Sequence, residues 1–393
     1  MMSTIYLDHA ATTAVKKEVL DAMLPYFTEN FGNPSSIYKI AQGNKKAVDE
    51  ARETIAKCLG ANTNEIFFTS CGTESDNWAI KGIAESYKSK GNHIITSKIE
   101  HPAVLHTCQY LEKQGYEVTY LDVDENGLVH VEDVEKAIKP TTILITIMYA
   151  NNEIGTIMPI KEIGALAKKN GIIFHTDAVQ AVGQVKINVQ EENIDLLSLS
   201  AHKLHGPKGM GMLYIKRGVK IGSYFHGGAQ ERGRRSGTEN VAGIVGLAKA
   251  MQLSYQDFDE KIEKMTKLRD KLIDGVLNNI PHSRLNGHRT LRLPNNANFS
   301  FEFVEGESLL LLLDMKEVCA SSGSACSSGS LDPSHVLLAI GLPHEKAHGS
   351  IRFTLGDDNT KKEIDYVLEI LPQIVQRMRE MSPLYEAFLK NKQ

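Results

Sequence analysis

The sequence predicts an α/β chain: a mainly parallel sheet in a large domain, followed by a smaller α+β domain. Three observations carry this. The 393 residues exceed the roughly 100–200 of a single domain, so two are expected. The middle of the chain alternates short apolar runs with longer amphipathic stretches, the pattern of βα units. After about Gly243 that alternation stops, and a long helical stretch takes over.

The strand candidates, in order, are Ile66–Ser70, His93–Ser97, Val118–Asp122, Ile143–Tyr149, Ile172–Asp177, Ile194–Ser200 and Met212–Ile215. They are rich in Ile, Val, Leu, Phe and Tyr, and most end at polar residues. Helices are expected near Glu74–Lys90, Pro102–Gln114, Val131–Lys139 and Ile160–Asn170. In such sheets ligands collect where strands end at their carboxyl edge. Residues Ile244–Ile280 read as one long helix with helically spaced charges, Glu260–Lys264 and Glu263–Lys267, broken by Pro281. Beyond it, strands are expected at Ala297–Val304 and Ser350–Leu355, and helices near Glu307–Met315, Ser334–Ile340 and Lys362–Arg379.

Composition narrows the function. With 42% hydrophobic and 23% charged residues the chain is not a disordered one. Its net charge of -4 gives little support to nucleic-acid binding as a main role. No apolar run approaches about 18 residues, and the start, MMSTIYLDHAATT, lacks the basic and apolar regions of a signal peptide. Its two adjacent methionines leave the true start open. The five cysteines, Cys58, Cys71, Cys108, Cys319 and Cys326, are an odd, sparse set without CxxC spacing. A disulfide framework and a zinc site are therefore not expected, and a reducing compartment is.

Several strand ends carry chemistry. His202 and Lys203 follow Ser200 in SAHKLHGPKG; a lysine desolvated at a buried strand end suits a Schiff base, although an exposed loop lysine is the alternative and Lys208 the rival. Asp177 ends another apolar strand, with Gln180 three residues on. Its carboxylate can hold a pyridinium nitrogen protonated, or simply cap a helix. In IFFTSCGTESDNWAI a strand runs into Gly72, Thr73 and a helix, whose N-terminus suits a phosphate or is a plain cap. His101 and the pair Asn151–Asn152 sit at two further strand ends, for stacking and for orienting a cofactor oxygen, or as a loop histidine and turn residues.

Arg232, Arg234 and Arg235 lie among glycines just before Thr238, as an anion site or a solvated basic loop. Arg352, within a strand-like run, is expected to meet a carboxylate. Cys326 lies in SSGSACSSGS, with Ser and Gly on both sides rather than the apolar neighbours of Cys58. An exposed thiol in such a loop is a liability unless used.

Together these segments resemble the cysteine desulfurases of the NifS/IscS type, in the class-V aminotransferase group of pyridoxal 5'-phosphate (PLP) enzymes. The carriers are YLDHAATT (6–13), GNPSS (32–36), TSCGTES (69–75), EHPAV (100–104), NNEIG (151–155), HTDAVQAVG (175–183), SAHKLHGPKG (200–209), GRRSGTEN (233–240), SSGSACSSGSL (321–331) and IRFTLG (351–356). No single motif is specific, but the set spans nearly the whole chain in family order.

The resemblance implies a PLP-dependent fold-type I enzyme: a large domain with a mainly parallel seven-stranded sheet, 15–260, and a small α+β domain, 1–14 and 261–393, with a mobile cysteine loop at 321–330. It implies that Lys203 forms the Schiff base, Asp177 pairs with the pyridine nitrogen, His101 stacks on the ring, and Asn152 and Gln180 address its face and phenolic oxygen. Gly72, Thr73, Ser200 and His202 would hold the phosphate, and Thr238 would reach it from a partner subunit. Asn33 and Arg352 would bind the substrate carboxylate. Cys326 would accept sulfur from L-cysteine and contact a cluster only in passing, with no resident metal. Its thiol needs activation by the site, with His101 a candidate. A cytoplasmic homodimer that delivers sulfur to an iron–sulfur scaffold of the IscU or NifU kind is expected. The rivals are a selenocysteine lyase or aminotransferase of the same group, and a non-catalytic assembly subunit.

Overall fold

The computed structural model describes residues 4–322 and 333–391. Along the chain come β1 (Ile5–Tyr6), α1 (Lys17–Met23), α2 (Pro25–Thr28), α3 (Lys39–Leu59), β2 (Ile66–Thr69), α4 (Gly72–Ser86), β3 (His93–Ser97), α5 (Pro102–Glu112), β4 (Glu117–Leu121), α6 (Val131–Ala137), β5 (Thr142–Thr146), α7 (Ile160–Asn170), β6 (Ile173–Asp177), β7 (Leu196–Ser200) and β8 (Gly211–Ile215). There follow α8 (Val241–Tyr255), α9 (Phe258–Asn279), β9 (Ser283–Asn286), β10 (Asn296–Phe301), α10 (Gly306–Asp314), β11 (Val318–Cys319), α11 (His335–Ala339), α12 (His344–Ala347), β12 (Ser350–Thr354), α13 (Lys361–Glu380) and α14 (Pro383–Lys390).

All seven expected strands enter one sheet, in the order β2-β8-β7-β6-β5-β3-β4. Only β8 runs against its neighbours, antiparallel to both β2 and β7. The interior strands are buried on both faces, and so they read as continuous apolar runs rather than as alternation. β4, at the edge, is largely half-exposed. The parallel strands end together, so the segments that leave them converge on one edge of the sheet. α4 is locked onto the sheet by Trp78, which is fully buried, meets Phe67 edge-on at 5.9 Å and donates its indole N–H to Gly222 O at 2.9 Å.

A second, antiparallel sheet has the order β12-β10-β9. Its core of Phe299, Phe301 and Phe353 is closed by Leu272 of α9 and by Ile364 and Leu371 of α13. Ile5 and Leu7 belong to the same core, because β1 pairs with β11. The chain's beginning is thereby pinned to the small sheet, and Asp8 bridges to Thr354. This places Asp8–Ala11 against the edge of the large sheet. Val336, Leu337 and Ile340 of the α11 region pack instead into the large sheet's core.

The single helix expected over Ile244–Ile280 is two. α8 ends at Tyr255, and Asp257 takes a left-handed conformation (φ 50°) before α9 begins. The reason is packing. α8 buries its face in the large core and α9 in the small one, so one straight axis cannot serve both. Of the two expected ion pairs, Glu263–Lys267 forms, whereas Lys264 Nζ donates to Asp357 O at 2.6 Å. No helix among the described residues is long and apolar enough to cross a membrane, and no group of three or more His, Cys, Asp or Glu among them is arranged to hold a metal ion.

Candidate active site

The strand ends open onto a cavity of about 300 Å³. Gly72, Thr73, His101, Asn152, Asp177, Gln180, Ser200, His202, Lys203 and Arg352 all line it, as do Ala10, Ala11, Cys71 and Asp76. Asn33 and Thr238 are exposed and do not line it within this chain; the Asn33 carboxamide accepts the Ser35 N–H. Cys326 lies outside the described residues.

Lys203 follows β7 in a short 3-10 turn, and its Nζ donates to Ala10 O at 2.6 Å and to Ala11 O at 2.7 Å. The carbonyls of the N-terminal segment thus aim the amine into the cavity. Gln180 Nε2 donates to the same Ala10 O at 3.0 Å. Lys208, the rival, is exposed and off the cavity.

Asp177 ends β6, and its Oδ1 accepts the Val179 N–H at 2.9 Å. Burial raises its pKa to about 6, while that hydrogen bond and the Lys203 charge pull the other way. It remains mostly a carboxylate at neutral pH.

His101 is the N-cap of α5, and its Nδ1 accepts the Ala103 N–H at 3.1 Å. Burial, then the Lys203 charge, lowers its pKa to about 4. The ring is neutral, and with Nδ1 accepting, Nε2 carries the proton. In this state His101 presents a flat face and a donor Nε2. His202 is likewise held neutral, by burial and then by Lys203 and Lys208, with Nδ1 3.1 Å from Thr12 Oγ1.

The α4 N-terminus supplies the anion end. Cys71 caps it, with Sγ accepting the Glu74 N–H at 3.4 Å, and the N–H groups of Gly72 and Thr73 stand at the helix start beside the cavity. A Cβ on Gly72 would stand 2.8 Å from Val179 Cγ2, so only glycine lets the backbone approach this closely.

The opposite wall belongs to the small sheet. Arg352, on β12, donates from Nη2 to Asp8 Oδ1 at 2.9 Å and from Nη1 to Asn152 O at 2.8 Å. Its buried Nε has no hydrogen-bond partner among the described residues. Asn151 is the turn residue of its pair: its Oδ1 accepts the N–H groups of Glu153 and Ile154, and Asn152 alone reaches the cavity. The arginine loop is braced rather than open. Arg235 pairs with Glu74 at 2.8 Å, Arg232 donates to Asn64 O at 3.0 Å, and Arg234 lies over the Phe67 ring.

Sequence reasoning passed over Asp8, Asp76 and Glu100. Glu100 is fully buried; its carboxylate accepts the Met148 N–H and the Ser97 hydroxyl, and burial raises its pKa to about 8. The available signal was position, since Glu100 and Asp8 stand inside EHPAV and YLDHAATT.

An amine at a strand end, a buried carboxylate, an imidazole face and a helix N-terminus suit an aromatic aldehyde that carries a ring nitrogen and a phosphate. Pyridoxal phosphate has these groups, and the residues present fit it.

The aminotransferase class-V family model matches residues 5–367. A Clostridium botulinum protein named cysteine desulfurase IscS is 62% identical over 395 residues, covering 100% of each chain. One of the same name from Methanosarcina thermophila is 62% identical over 380 residues, covering 97% of this chain and 94% of its own. The solved structure of a NifS-like protein superposes with a TM-score of 0.89 at 40% identity, covering 95% of this chain and 99% of that one. The chain belongs to the class-V aminotransferase family and, within it, to the cysteine desulfurases of the NifS/IscS type.

Proposed function

We propose that the chain is a pyridoxal-phosphate-dependent cysteine desulfurase that converts L-cysteine to L-alanine and carries the released sulfur as a persulfide on Cys326. The observation that carries this reading is the convergence of Lys203, Asp177, the α4 N-terminus and Arg352 on one cavity, in a chain of this family. When bound, the cofactor supplies the electron sink that makes the substrate α-proton acidic.

Lys203 Nζ would be the cofactor's attachment point, and its amine is also placed to receive the substrate α-proton. Asp177, ionised, keeps the ring nitrogen protonated. His101 covers the ring face. Asn152 and Gln180 orient the ring face and phenolic oxygen. The Gly72 and Thr73 N–H groups, with Ser200 and His202, hold the phosphate. Arg352 takes the substrate carboxylate, for which its Nε, without a partner among the described residues, is available; Asn33, which does not line the cavity within this chain, is its second ligand on the family resemblance alone.

The Cys326 thiolate attacks the substrate sulfur. An S–S bond forms as the C–S bond breaks, and the proton balance gives alanine and protein persulfide. Both flanks of the Cys326 segment are fastened to the cavity wall. Ser321 exchanges backbone hydrogen bonds with Arg352, and beyond the segment Ser334 Oγ meets Glu153 while His335 Nε2 lies 3.0 Å from Glu100 O. Three of the four other thiols support the choice of Cys326. Burial pushes Cys58 up to about 11 and Cys108 higher still, and Cys319 is raised too.

The enzyme acts as a cytoplasmic homodimer that hands its sulfur to an iron–sulfur scaffold of the IscU or NifU kind. Exposed apolar side chains at Leu24, Phe27, Phe31, Ile37 and Tyr38 support the dimer, since association would cover them. Thr238, off the cavity of its own chain, would complete the partner's phosphate site. A demonstrably monomeric sample should therefore hold PLP less tightly than the dimer.

Mass spectrometry after incubation with L-cysteine, before any reductant, tests the reading. A persulfide on Cys326 and stoichiometric alanine are expected. Cys326→Ala should still change the cofactor absorbance on binding cysteine yet carry no persulfide. A persulfide on Cys71 or Cys319 with Cys326 unmodified would overturn the assignment, and full turnover in Cys326→Ala would favour a lyase or aminotransferase.

A further inference from the structure

The cavity holds a second aspartate that the chemistry above does not use. Asp76 lies on α4 one turn beyond Thr73, so helical spacing puts it on the phosphate-facing side. It is 1% exposed, and its Oδ1 has no hydrogen-bond partner among the described residues. That oxygen stands 3.7 Å from His175 Nε2. Ser198 Oγ is 3.0 Å from the same His175 Nε2, and its hydroxyl also acts on the Asp76 carboxyl, pulling its pKa down against the larger effect of burial. The other ring nitrogen, Nδ1, is 2.8 Å from Thr146 Oγ1. His175 and Asp177 are two apart on β6 and share a face, and Ser198 is the register partner of Asp177 on β7. Asp76 from the helix and Asp177 from the strand therefore close on one buried region.

The titratable groups that act on Asp76 are Asp177 from β6, Glu100 from the turn before α5 and Cys71 from its own helix cap, with His175 in contact. Burial and these neighbours push the Asp76 pKa well up, while burial pushes His175 down to about 3. Both shifts favour a neutral acid beside a neutral imidazole over an ion pair. An ion pair there would need both charges desolvated. The two carboxyls are unequal. Asp177 has the Val179 N–H and the Lys203 charge to stabilise its ionised form, whereas Asp76 has only the Ser198 hydroxyl against the acids Asp177, Glu100 and Cys71. Two carboxyls in one buried site do not ionise together.

We propose that Asp76 is a positioning residue that holds a proton as the neutral member of a buried carboxyl pair, which leaves Asp177 to carry the negative charge that faces the cofactor ring. The identity of that ring rests on the function proposed above; the place of the proton does not.

Infrared spectroscopy of the PLP-loaded enzyme, labelled with 13C-carboxyl aspartate to separate Asp from Glu bands, tests this. At neutral pH the wild type should show a protonated aspartic acid band that Asp76→Asn lacks, with aspartate carboxylate intensity unchanged. In Asp177→Asn, where the like charge is gone, that band should titrate about one pH unit lower, tenfold in the dissociation constant. Loss of carboxylate rather than acid intensity in Asp76→Asn would overturn the proposal, and so would an unshifted titration in Asp177→Asn. The second variant retains Asp76 and keeps the test open if the first does not fold. Turnover reports separately: an acid band without alanine formation sinks the functional reading alone, and turnover without the band sinks this one.

Discussion

The two walls of the cavity are built differently. On the large-sheet wall, Asp177 and Lys203 follow strands buried on both faces, Gly72 opens a helix locked down by Trp78, and burial is the largest cause of the shifted titration of Asp177, Glu100, His101 and His175. On the small-sheet wall, Arg352 is held by two hydrogen bonds, to Asp8 and to a backbone carbonyl, and its strand neighbour Ser321 leads directly into the cysteine segment. The first wall is fixed before anything binds. The second offers contacts that a substrate carboxylate can exchange. A site that must hold one molecule permanently and release another at each turnover benefits from this division.

Substitutions can break the comparison at either wall. Lys203→Ala should have the largest effect, a loss of roughly 10²–10⁴-fold in turnover together with loss of the Schiff-base absorbance, because no other lysine among the described residues lines the cavity. Steady-state alanine formation and the absorption spectrum check it. Arg352→Gln should act on the other wall. A lost charge-assisted contact, about 1.5–3 kcal/mol, should raise KM roughly tenfold or more while cofactor absorbance is kept. A comparable loss of PLP from Arg352→Gln would erase the distinction between the walls.

Smaller changes sharpen it. Gly72→Ala should weaken PLP affinity, because its Cβ needs the Val179 side chain to move, yet leave KM for cysteine less affected than Arg352→Gln does. Equilibrium dialysis with PLP measures this. The smallest effect concerns stability and pH. The folded Glu100 pKa is raised to about 8 from 4.5, so the folded state binds more protons than the unfolded state between those values. Stability should fall as pH rises through that window, by at most about 1.4 kcal/mol per unit from this group. Glu100→Gln should flatten the dependence in urea titrations across it. Equal slopes in the two proteins would show that Glu100 does not carry the proton.

The comparison also marks what the sequence makes legible. The large-sheet wall could be read almost whole, since strands buried on both faces are unbroken apolar runs and their polar ends announce a site. Asp177, Lys203, His101 and Asn152 were found that way. The small-sheet wall was harder. β1 and β11 are two residues each, too short for any period, and Asp8 acquires its role only when β1 pairs with a strand more than three hundred residues away. α3 went unread because its long charged stretch carries no strand alternation around it, and the break at Asp257 follows from two cores that only the fold defines. Asp76 and Glu100 look like ordinary helix-start acids, and nothing local shows that both are buried.

Borohydride reduction of the PLP-loaded enzyme followed by peptide mapping locates the lysine that carries the cofactor. The pyridoxyl label is expected on the peptide that contains Lys203, whose amine the Ala10 and Ala11 carbonyls aim into the cavity. Label on the exposed Lys208, with Lys203 unmodified, would contradict it.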